Sequence, residues 1–353
     1  MTTTTLADLR ECRLSWTNDR EPGLQRRRAG RGFTYLDAGR RVQDDTTLAR
    51  IRSLAIPPAW SDVWICARAD GHIQATGRDA RGRKQYRYHP RYREHCETAK
   101  FEHLAVFGRA LPRVRKQVES DLALKGLPRE RVVATVVQLL ELTLIRVGNE
   151  EYAQSNKSFG LTTLRSRHAR FERGAVRLCF RGKSGLEHEV SVRDASLRRT
   201  LRRCQDLPGQ LLFQYVDDTG AHPISSTDVN DYLRTAAQMD ITAKEFRTWM
   251  GTLLAAGELA SLDAPESDRE AKRAVTRTVG MVSRQLGNTP AVCRRSYVHP
   301  YVIDAFRSGT LAQSWTAPAR RVAGLALEER RLLTLLERTA SSSQDHSKPA
   351  KAA

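Results

Sequence analysis

The chain has 353 residues, of which 40% are hydrophobic, enough for two domains of about 100 to 200 residues with packed cores. Its formal net charge is +19, from 59 Lys and Arg against 40 Asp and Glu. A charge this large indicates a polyanionic partner. The N-terminus lacks a signal-peptide core, and no run of about 18 apolar residues predicts a membrane span. We therefore expect an intracellular protein.

Cysteine and histidine usage gives no sign of a metal site. The six cysteines form no C-x-x-C pair, and the nine histidines are scattered along the chain. In a chain of this size, such cysteines are typical of reduced thiols in the cytoplasm. The sequence also contains no P-loop and no acidic metal-binding cluster. We expect no metal and no cofactor.

The first hundred residues predict a β-rich domain behind a polar arm. Residues 1–24 are polar and are expected to form a flexible arm. Residues 25–98 show short apolar runs broken by Gly, Pro and Asp, with strands predicted at 63–67 and 72–77. These features predict a small antiparallel sheet.

From residue 99 the apolar residues recur at helical spacing, which predicts a mainly helical domain over 99–338. The stretch 132–144 is apolar on most of its surface and should be a buried helix. One β-hairpin, 176–180 with 188–192, is the only strand pair expected here, with Lys183 at its tip. The Ser/Lys/Ala-rich residues 339–353 should be disordered.

Further helices are predicted at 194–204, 227–239 (capped by Ser226 or Thr227), 242–259 and 268–285. The fold class is therefore α+β.

Thr289-Pro290 is typical of a helix start, with a capping residue followed by proline at the first helical position. Tyr297 then lies about two turns into that helix. Together with Arg146, Lys183 and Arg247, it forms a set able to break and reseal a phosphodiester without a metal. Arginine grips phosphate oxygens and keeps its charge. A lysine near other cations becomes a usable acid, and the same cations would activate a tyrosine.

Each residue alone has an ordinary interpretation. Arg146 could be a charge at a helix end, and Lys183 a solvated turn residue. Arg247 could be a surface or stacking residue, and Tyr297 a core tyrosine. The case for a site depends on the order and contexts of the four together.

The set resembles the type IB DNA topoisomerases, in particular their compact poxviral and bacterial form, over roughly residues 30–310. The resemblance is carried by Lys84 to Pro90 (KQYRYHP), 145–149 (IRVGN), 158–164 (SFGLTTL), the Lys183 hairpin, Lys244-x-x-Arg247 and Ser296-Tyr297. Many relatives place a histidine nine residues before the tyrosine, where this chain has Asn288. An asparagine can donate a hydrogen bond to a phosphate oxygen but carries no charge.

The resemblance implies a β-rich and a helical domain that clamp double-stranded DNA as a monomer, with a nucleoid-associated location. Tyr297 would form a 3′-phosphotyrosyl bond, Lys183 would protonate the 5′ oxygen, and Arg146, Arg247 and Asn288 would stabilise charge. Strand rotation and religation would then need neither ATP nor metal. Cations interleaved with tyrosines over 78–93 suggest phosphate and base contacts. The predicted DNA contacts are Arg83, Lys84, Gln85, Tyr86, Tyr88, Lys157 and Lys244.

Two alternatives remain open at this point. A tyrosine recombinase shares this catalytic chemistry, but such enzymes usually carry His-x-x-Arg where this chain has Lys244-Glu245-Phe246-Arg247. A non-enzymatic DNA-packaging protein would explain the charge but not the ordered Arg, Lys, Arg and Tyr motifs.

Overall fold

The chain folds into two compact units, Met1–Lys100 and Phe101–Ala353, in a computed structural model that describes residues 5–345. The first unit is built on an antiparallel sheet and the second is mainly helical, so the predicted α+β fold class is confirmed.

A six-stranded antiparallel sheet forms the first unit, in the order β3-β2-β1-β4-β5-β6. Its strands are β1 (Gly23–Ala29), β2 (Gly32–Asp37), β3 (Arg40–Arg41), β4 (Ser61–Cys66), β5 (Ile73–Arg78) and β6 (Lys84–Tyr88). Apolar side chains of β1, β4 and β5 pack against Ile51 of helix α2 (Asp45–Ser53). Strand β6 is left at one edge of the sheet.

Residues 5–24 differ from the predicted flexible arm. Helix α1 (Leu6–Glu11) opens with a capping box between Thr5 and Asp8. Leu9 and Leu14 are buried with Tyr92 in a small apolar cluster, and these buried side chains hold the segment in place. Residues 1–4 lie outside the described part of the chain.

The second unit contains the candidate site. Helix α3 (Pro90–Leu122) includes the boundary between the units. Further helices are α4 (Arg129–Thr143), α5 (Glu150–Asn156), α6 (Ala195–Gln205), α7 (Ser226–Ala237), α8 (Ala243–Ala260), α9 (Asp268–Leu286), α10 (Pro290–Tyr297), α11 (Pro300–Arg307), α12 (Leu311–Thr316) and α13 (Leu327–Asp345). Helix α4 is buried along most of its length, as its apolar surface predicts. The core of the unit forms around α4 and α8.

The second unit holds more strands than the sequence predicted. The predicted hairpin forms as β8 (Ala175–Arg181) and β9 (Glu187–Val192), but β7 (Ala169–Glu172) extends it to three strands. A further hairpin joins β10 (Gln214–Asp217) and β11 (Gly220–Pro223). The expectation of a single strand pair in this half is therefore wrong, because β7, β10 and β11 are only four residues each, too short for a strand pattern to be recognised in the sequence.

Two helix ends also differ from the sequence interpretation. The cap of α7 is Ser225 rather than Ser226 or Thr227. Its hydroxyl accepts from the Asp228 amide, and the Asp228 carboxylate accepts from the Ser225 amide. Helix α13 continues to Asp345, into the region predicted to be disordered, while 346–353 lie outside the described residues.

Candidate active site

Arg146 lies in the turn that follows α4. Leu144, which caps the C-terminus of helix α4, adopts a left-handed backbone conformation with φ of 56°. The Leu161 amide then donates to the Arg146 carbonyl at 2.9 Å. A side chain on Gly160 would reach within 2.5 Å of that carbonyl, so only glycine allows the approach. The segment 160–164 (GLTTL) thus fixes the backbone of Arg146.

Arg247 is buried in α8, with 4% of its surface exposed. Its guanidinium donates to the carbonyl of Leu144, at the end of α4, and at 2.5 Å to that of Leu286, the last residue of α9. Helix C-termini carry partial negative charge that favours a cation. Arg247 therefore joins two helix ends, and the candidate residues Arg146 and Asn288 each follow two positions later.

Asn288 contacts Arg146 directly. Its side-chain oxygen accepts from Arg146 Nη2 at 2.5 Å, while its Nδ2 is buried without a hydrogen-bond partner. Nε of Arg247 is also buried without a partner. Buried donors in folded proteins are normally paired. The cluster therefore holds two buried donors to which an acceptor could bind.

Tyr297 is the last residue of α10, whose predicted start at Thr289 and Pro290 is confirmed. Its carbonyl accepts from Thr252 of α8 at 3.2 Å, and a side chain on Gly251 would reach within 2.6 Å of that carbonyl. The Arg247 guanidinium lies 5.2 Å from the centre of the tyrosine ring. Helix α8 therefore positions both side chains.

The surrounding cations change the acidity of the tyrosine. Burial raises the pKa of Tyr297, but the charge and hydrogen bond of Arg247, with the charges of Arg146 and Lys244, bring it below its ordinary value. The pKa of Arg247 is itself lowered by burial and by the nearby Arg146 charge. This cluster of Arg146, Arg247, Asn288 and Tyr297, the helix-end cluster, makes the phenolic proton easier to lose.

Lys183 lies at the exposed tip of the β8–β9 hairpin, in a short 3₁₀ turn. The Gly182 amide donates to the Leu186 carbonyl at 2.7 Å, and the Phe159 amide to that of Arg181 at 2.8 Å, so the base of the tip is anchored. Within residues 5–345, Lys183 makes no hydrogen bond or ion pair to the helix-end cluster. The structure groups four of the five predicted residues as two contacting pairs, Arg146 with Asn288 and Arg247 with Tyr297, and leaves Lys183 on the adjoining hairpin.

His188 of β9 was missed by the sequence reasoning. Its ring lies against Gly287, the residue before Asn288, and the pKa of its imidazole is lowered by burial and by the charges of Arg146 and Arg247. A signal was available, because the predicted hairpin register pairs His188 with Phe180 across the two strands.

The predicted DNA contacts on edge strand β6 fall on its two faces. Residues two apart on a strand share a face, and the Tyr86 and Tyr88 rings stack with centroids 5.9 Å apart. Lys84 Nζ lies 5.6 Å from the Tyr86 ring centre. Gln85 instead donates to Asp79 at 3.0 Å, together with Arg83. The tyrosines and Gln85 therefore do not form one surface.

Two carboxylates hold Lys84 of this strand and Arg83, the residue before it, whereas Arg87 of the strand donates to the Ala55 carbonyl at 2.8 Å. Lys84 pairs with Asp19 at 2.5 Å, and Arg83 pairs with Asp79 at 2.6 Å. The pKa of Asp19 is lowered, first by its bond to Lys84. Lys84 and Arg83 already have anionic partners in the absence of DNA.

The other two predicted contacts lie in the second unit. Lys244 is exposed at the start of α8, and its charge acts on Tyr297. Lys157 is exposed after α5, with a φ of 50°. Only Lys244 is thereby connected to the helix-end cluster.

Neither a metal centre nor a membrane-spanning helix is present between residues 5 and 345. No three His, Cys, Asp or Glu side chains are grouped there as metal ligands would be. No helix in that range has the length and apolarity needed to cross a membrane.

Comparison with known proteins gives a consistent result over most of the chain. The family model for the catalytic core of eukaryotic DNA topoisomerase I matches residues 89–314, and that for the N-terminal domain of bacterial DNA topoisomerase IB matches 32–79. The chain is 31% identical to DNA topoisomerase 1B of Acanthamoeba polyphaga mimivirus over 295 residues, 81% of this chain and 88% of the viral protein. It is 21% identical to DNA topoisomerase I of monkeypox virus over 287 residues, 78% of this chain and 87% of that protein.

Proposed function

The chain belongs to the type IB DNA topoisomerases, and from this premise we propose that it relaxes supercoiled duplex DNA through a 3′-phosphotyrosyl intermediate. The matched catalytic core, 89–314, contains all five candidate residues. Both family models describe topoisomerases, which favours this class over a recombinase or a packaging protein. The chemical steps below are proposals supported by the geometry of the helix-end cluster.

Tyr297 is the proposed nucleophile. Its oxygen forms a bond to the scissile phosphorus as the bond from phosphorus to the 5′ oxygen breaks, and its phenolic proton is released to solvent. The cations that lower the pKa of Tyr297 make this proton easier to lose. Because the bond energy is retained in the phosphotyrosine, attack by the 5′ hydroxyl can reverse the step without ATP.

The observation that carries the proposal is the pair of vacant donors beside this tyrosine. Nε of Arg247 and Nδ2 of Asn288 are buried without acceptors, and Arg146 contacts Asn288. Donors fixed before the reaction stabilise charge that develops on phosphate oxygens without reorganising. Arg146, Arg247 and Asn288 would bind the non-bridging oxygens in this way.

Lys183 is the proposed general acid. The departing 5′ alkoxide is strongly basic, so a donated proton lowers the barrier to its release. The exposed hairpin tip allows Lys183 to approach bound DNA. In religation the neutral lysine would take the proton back from the 5′ hydroxyl.

The DNA is proposed to be bound as a duplex by a monomer, in the cytoplasm and at the nucleoid. The net charge of +19 and the cations of strand β6 support a phosphate-contacting surface. Between cleavage and religation the cut strand would rotate about the intact one, which relaxes supercoils of either sign.

The decisive experiment is plasmid relaxation in EDTA without nucleotide, using positively and negatively supercoiled DNA. We expect relaxation of both. A strict requirement for Mg²⁺ or ATP would refute the mechanism, and relaxation confined to plasmids with a particular recombination site would favour a recombinase.

A further inference from the structure

His188 lies on the hairpin that carries Lys183, beside the helix-end cluster. Its imidazole stacks on Phe180 of the facing strand, with ring centres 5.0 Å apart and planes at 10°. Phe180 is itself buried in the core of the second unit. One face of the imidazole is therefore held by Phe180 against the core of the second unit.

Two glycines border this ring, and each directly precedes a candidate catalytic residue. A side chain on Gly182, before Lys183, would lie 2.5 Å from Cδ2 of His188. A side chain on Gly287, before Asn288, would lie 3.0 Å from Cε1. Gly287 has a φ of 57°, which favours glycine, but Gly182 has an ordinary φ of −94°. The close approach of His188 is thus what requires glycine at 182.

The ring contributes shape rather than charge. Burial, and then the charges of Arg146 and Arg247, hold the pKa of His188 below its ordinary value, so the imidazole is mainly neutral near pH 7. A neutral ring fills the space between the hairpin and the Gly287 turn without repelling the two arginines.

We propose that His188 is the positioning residue for Lys183: its imidazole, between Gly182 and Gly287, sets the hairpin tip relative to the Asn288 side of the helix-end cluster. The inference rests on the proposed function, in which Lys183 is the general acid. A displacement of about 1 Å at a reacting group can cost roughly 10²-fold in rate. His188 would therefore act through Lys183 and not on the phosphate itself.

The test compares single-turnover cleavage of two DNA substrates, one with oxygen and one with sulfur at the 5′ bridging position. Sulfur leaves as a thiolate and needs no proton. Lys183→Ala should cleave the oxygen substrate slowly and recover much of its rate with sulfur. His188→Ala should lose about 10- to 100-fold on oxygen and recover likewise, whereas Arg146→Ala should not recover.

Gly182→Ala provides a second variant that moves the imidazole without removing it. Its added methyl group would overlap the ring, so we expect the same loss on oxygen and the same recovery on sulfur. Gly257→Ala of α8 is the matched control, because a side chain there lies 3.9 Å from the nearest contact, in Trp315. It should cleave both substrates at the wild-type rate, and thermal unfolding should show that every variant is folded.

The results separate the two proposals. If Lys183→Ala recovers on sulfur but His188→Ala and Gly182→Ala do not, the positioning role is wrong and the acid role of Lys183 stands. Wild-type cleavage by both His188→Ala and Gly182→Ala would also overturn the positioning role. If Lys183→Ala itself shows no recovery, the acid role fails and the inference fails with it. The double variant His188→Ala/Lys183→Ala should be no slower than Lys183→Ala.

Discussion

The helix-end cluster and edge strand β6 both present cations, but they hold them differently. Arg247 is buried and bonded to two backbone carbonyls, and Arg146 is bonded to a neutral amide. Lys84 and Arg83 on or beside β6 are paired with carboxylates. Neutral acceptors leave the full charge of the arginines available to a phosphate. The carboxylates of the first unit must be displaced or must share their cations when DNA binds.

This difference suggests a division of roles between the two regions. The helix-end cluster is assembled in advance, so its free energy of organisation is supplied by folding. If β6 binds DNA as proposed, Lys84 and Arg83 must exchange their carboxylate partners for phosphates, which would weaken binding at this strand.

The largest expected effect is at the nucleophile. Tyr297→Phe should abolish the covalent protein–DNA adduct while leaving DNA affinity nearly unchanged, because only the phenolic oxygen is lost. Adducts trapped by detergent and resolved on a gel measure the first property, and fluorescence anisotropy the second. Tyr301→Phe, four residues later, is the control. An adduct that persists in Tyr297→Phe but disappears in Tyr301→Phe would move the nucleophile to α11.

Duplex binding should depend steeply on salt. If six or more phosphates are neutralised, a plot of log affinity against log salt has a slope of about −5 or steeper. Raising salt from 50 to 200 mM would then lower affinity by about 10³-fold. Anisotropy titrations across that range measure the slope. A slope near zero would mean that the positive charge of the chain is not used on phosphates.

The two arginines should separate catalysis from stability. Arg247→Ala should slow cleavage by about 10²- to 10³-fold and also lower the free energy of unfolding by about 1–3 kcal/mol, because two helix-end carbonyls lose their donor. Arg146→Ala should slow cleavage similarly with a smaller effect on stability, since its side chain is only half buried. Single-turnover rates and urea unfolding measure both. Equal destabilisation by the two variants would contradict the proposed bridging of helix ends.

Asn288 should contribute less to the cleavage rate than either arginine, because its amide carries no charge. Asn288→Ala removes the vacant Nδ2 donor and should slow cleavage by up to about 10²-fold. Asn288→His should be tolerated, since an imidazole can also donate to a phosphate oxygen. Cleavage and religation rates measure this. Wild-type rates for Asn288→Ala would leave Asn288 with only a structural role after α9.

Local signals predicted much of the candidate site, and tertiary contacts account for the rest. Thr289 and Pro290 predict the start of α10, because capping and proline at the first position act within one turn. The bonds of Arg247 to two helix ends could not be predicted from the sequence, because they require α4 and α9 to end close together in the fold. The packed N-terminal arm was missed because the burial of Leu9 and Leu14 depends on a contact with Tyr92, far along the chain. The predicted hairpin register could have placed His188 opposite Phe180, but its approach to Gly287 depends on a tertiary contact.

The smallest expected effect tests the carboxylate pairs of the first unit. Asp19 accepts from Lys84 at 2.5 Å and from Thr76 at 3.0 Å. Exposed ion pairs are worth about 0.2–1 kcal/mol, so Asp19→Asn should release Lys84 and strengthen duplex binding by about two- to fivefold. The salt slope should steepen by up to about one.

Asp37→Asn is the matched control for that variant, because it changes the net charge equally but lies on β2, near the opposite edge of the sheet from β6. It should alter affinity by less than twofold. Lys84→Ala, made in the Asp19→Asn background, should cancel the gain if Lys84 is the cation released. Equal strengthening by Asp19→Asn and Asp37→Asn would show that only the overall charge matters, and β6 would then have no special role in binding. A gain confined to Asp19→Asn would instead show that the first unit limits its own affinity through this carboxylate, while the helix-end cluster keeps its cations free for the phosphate.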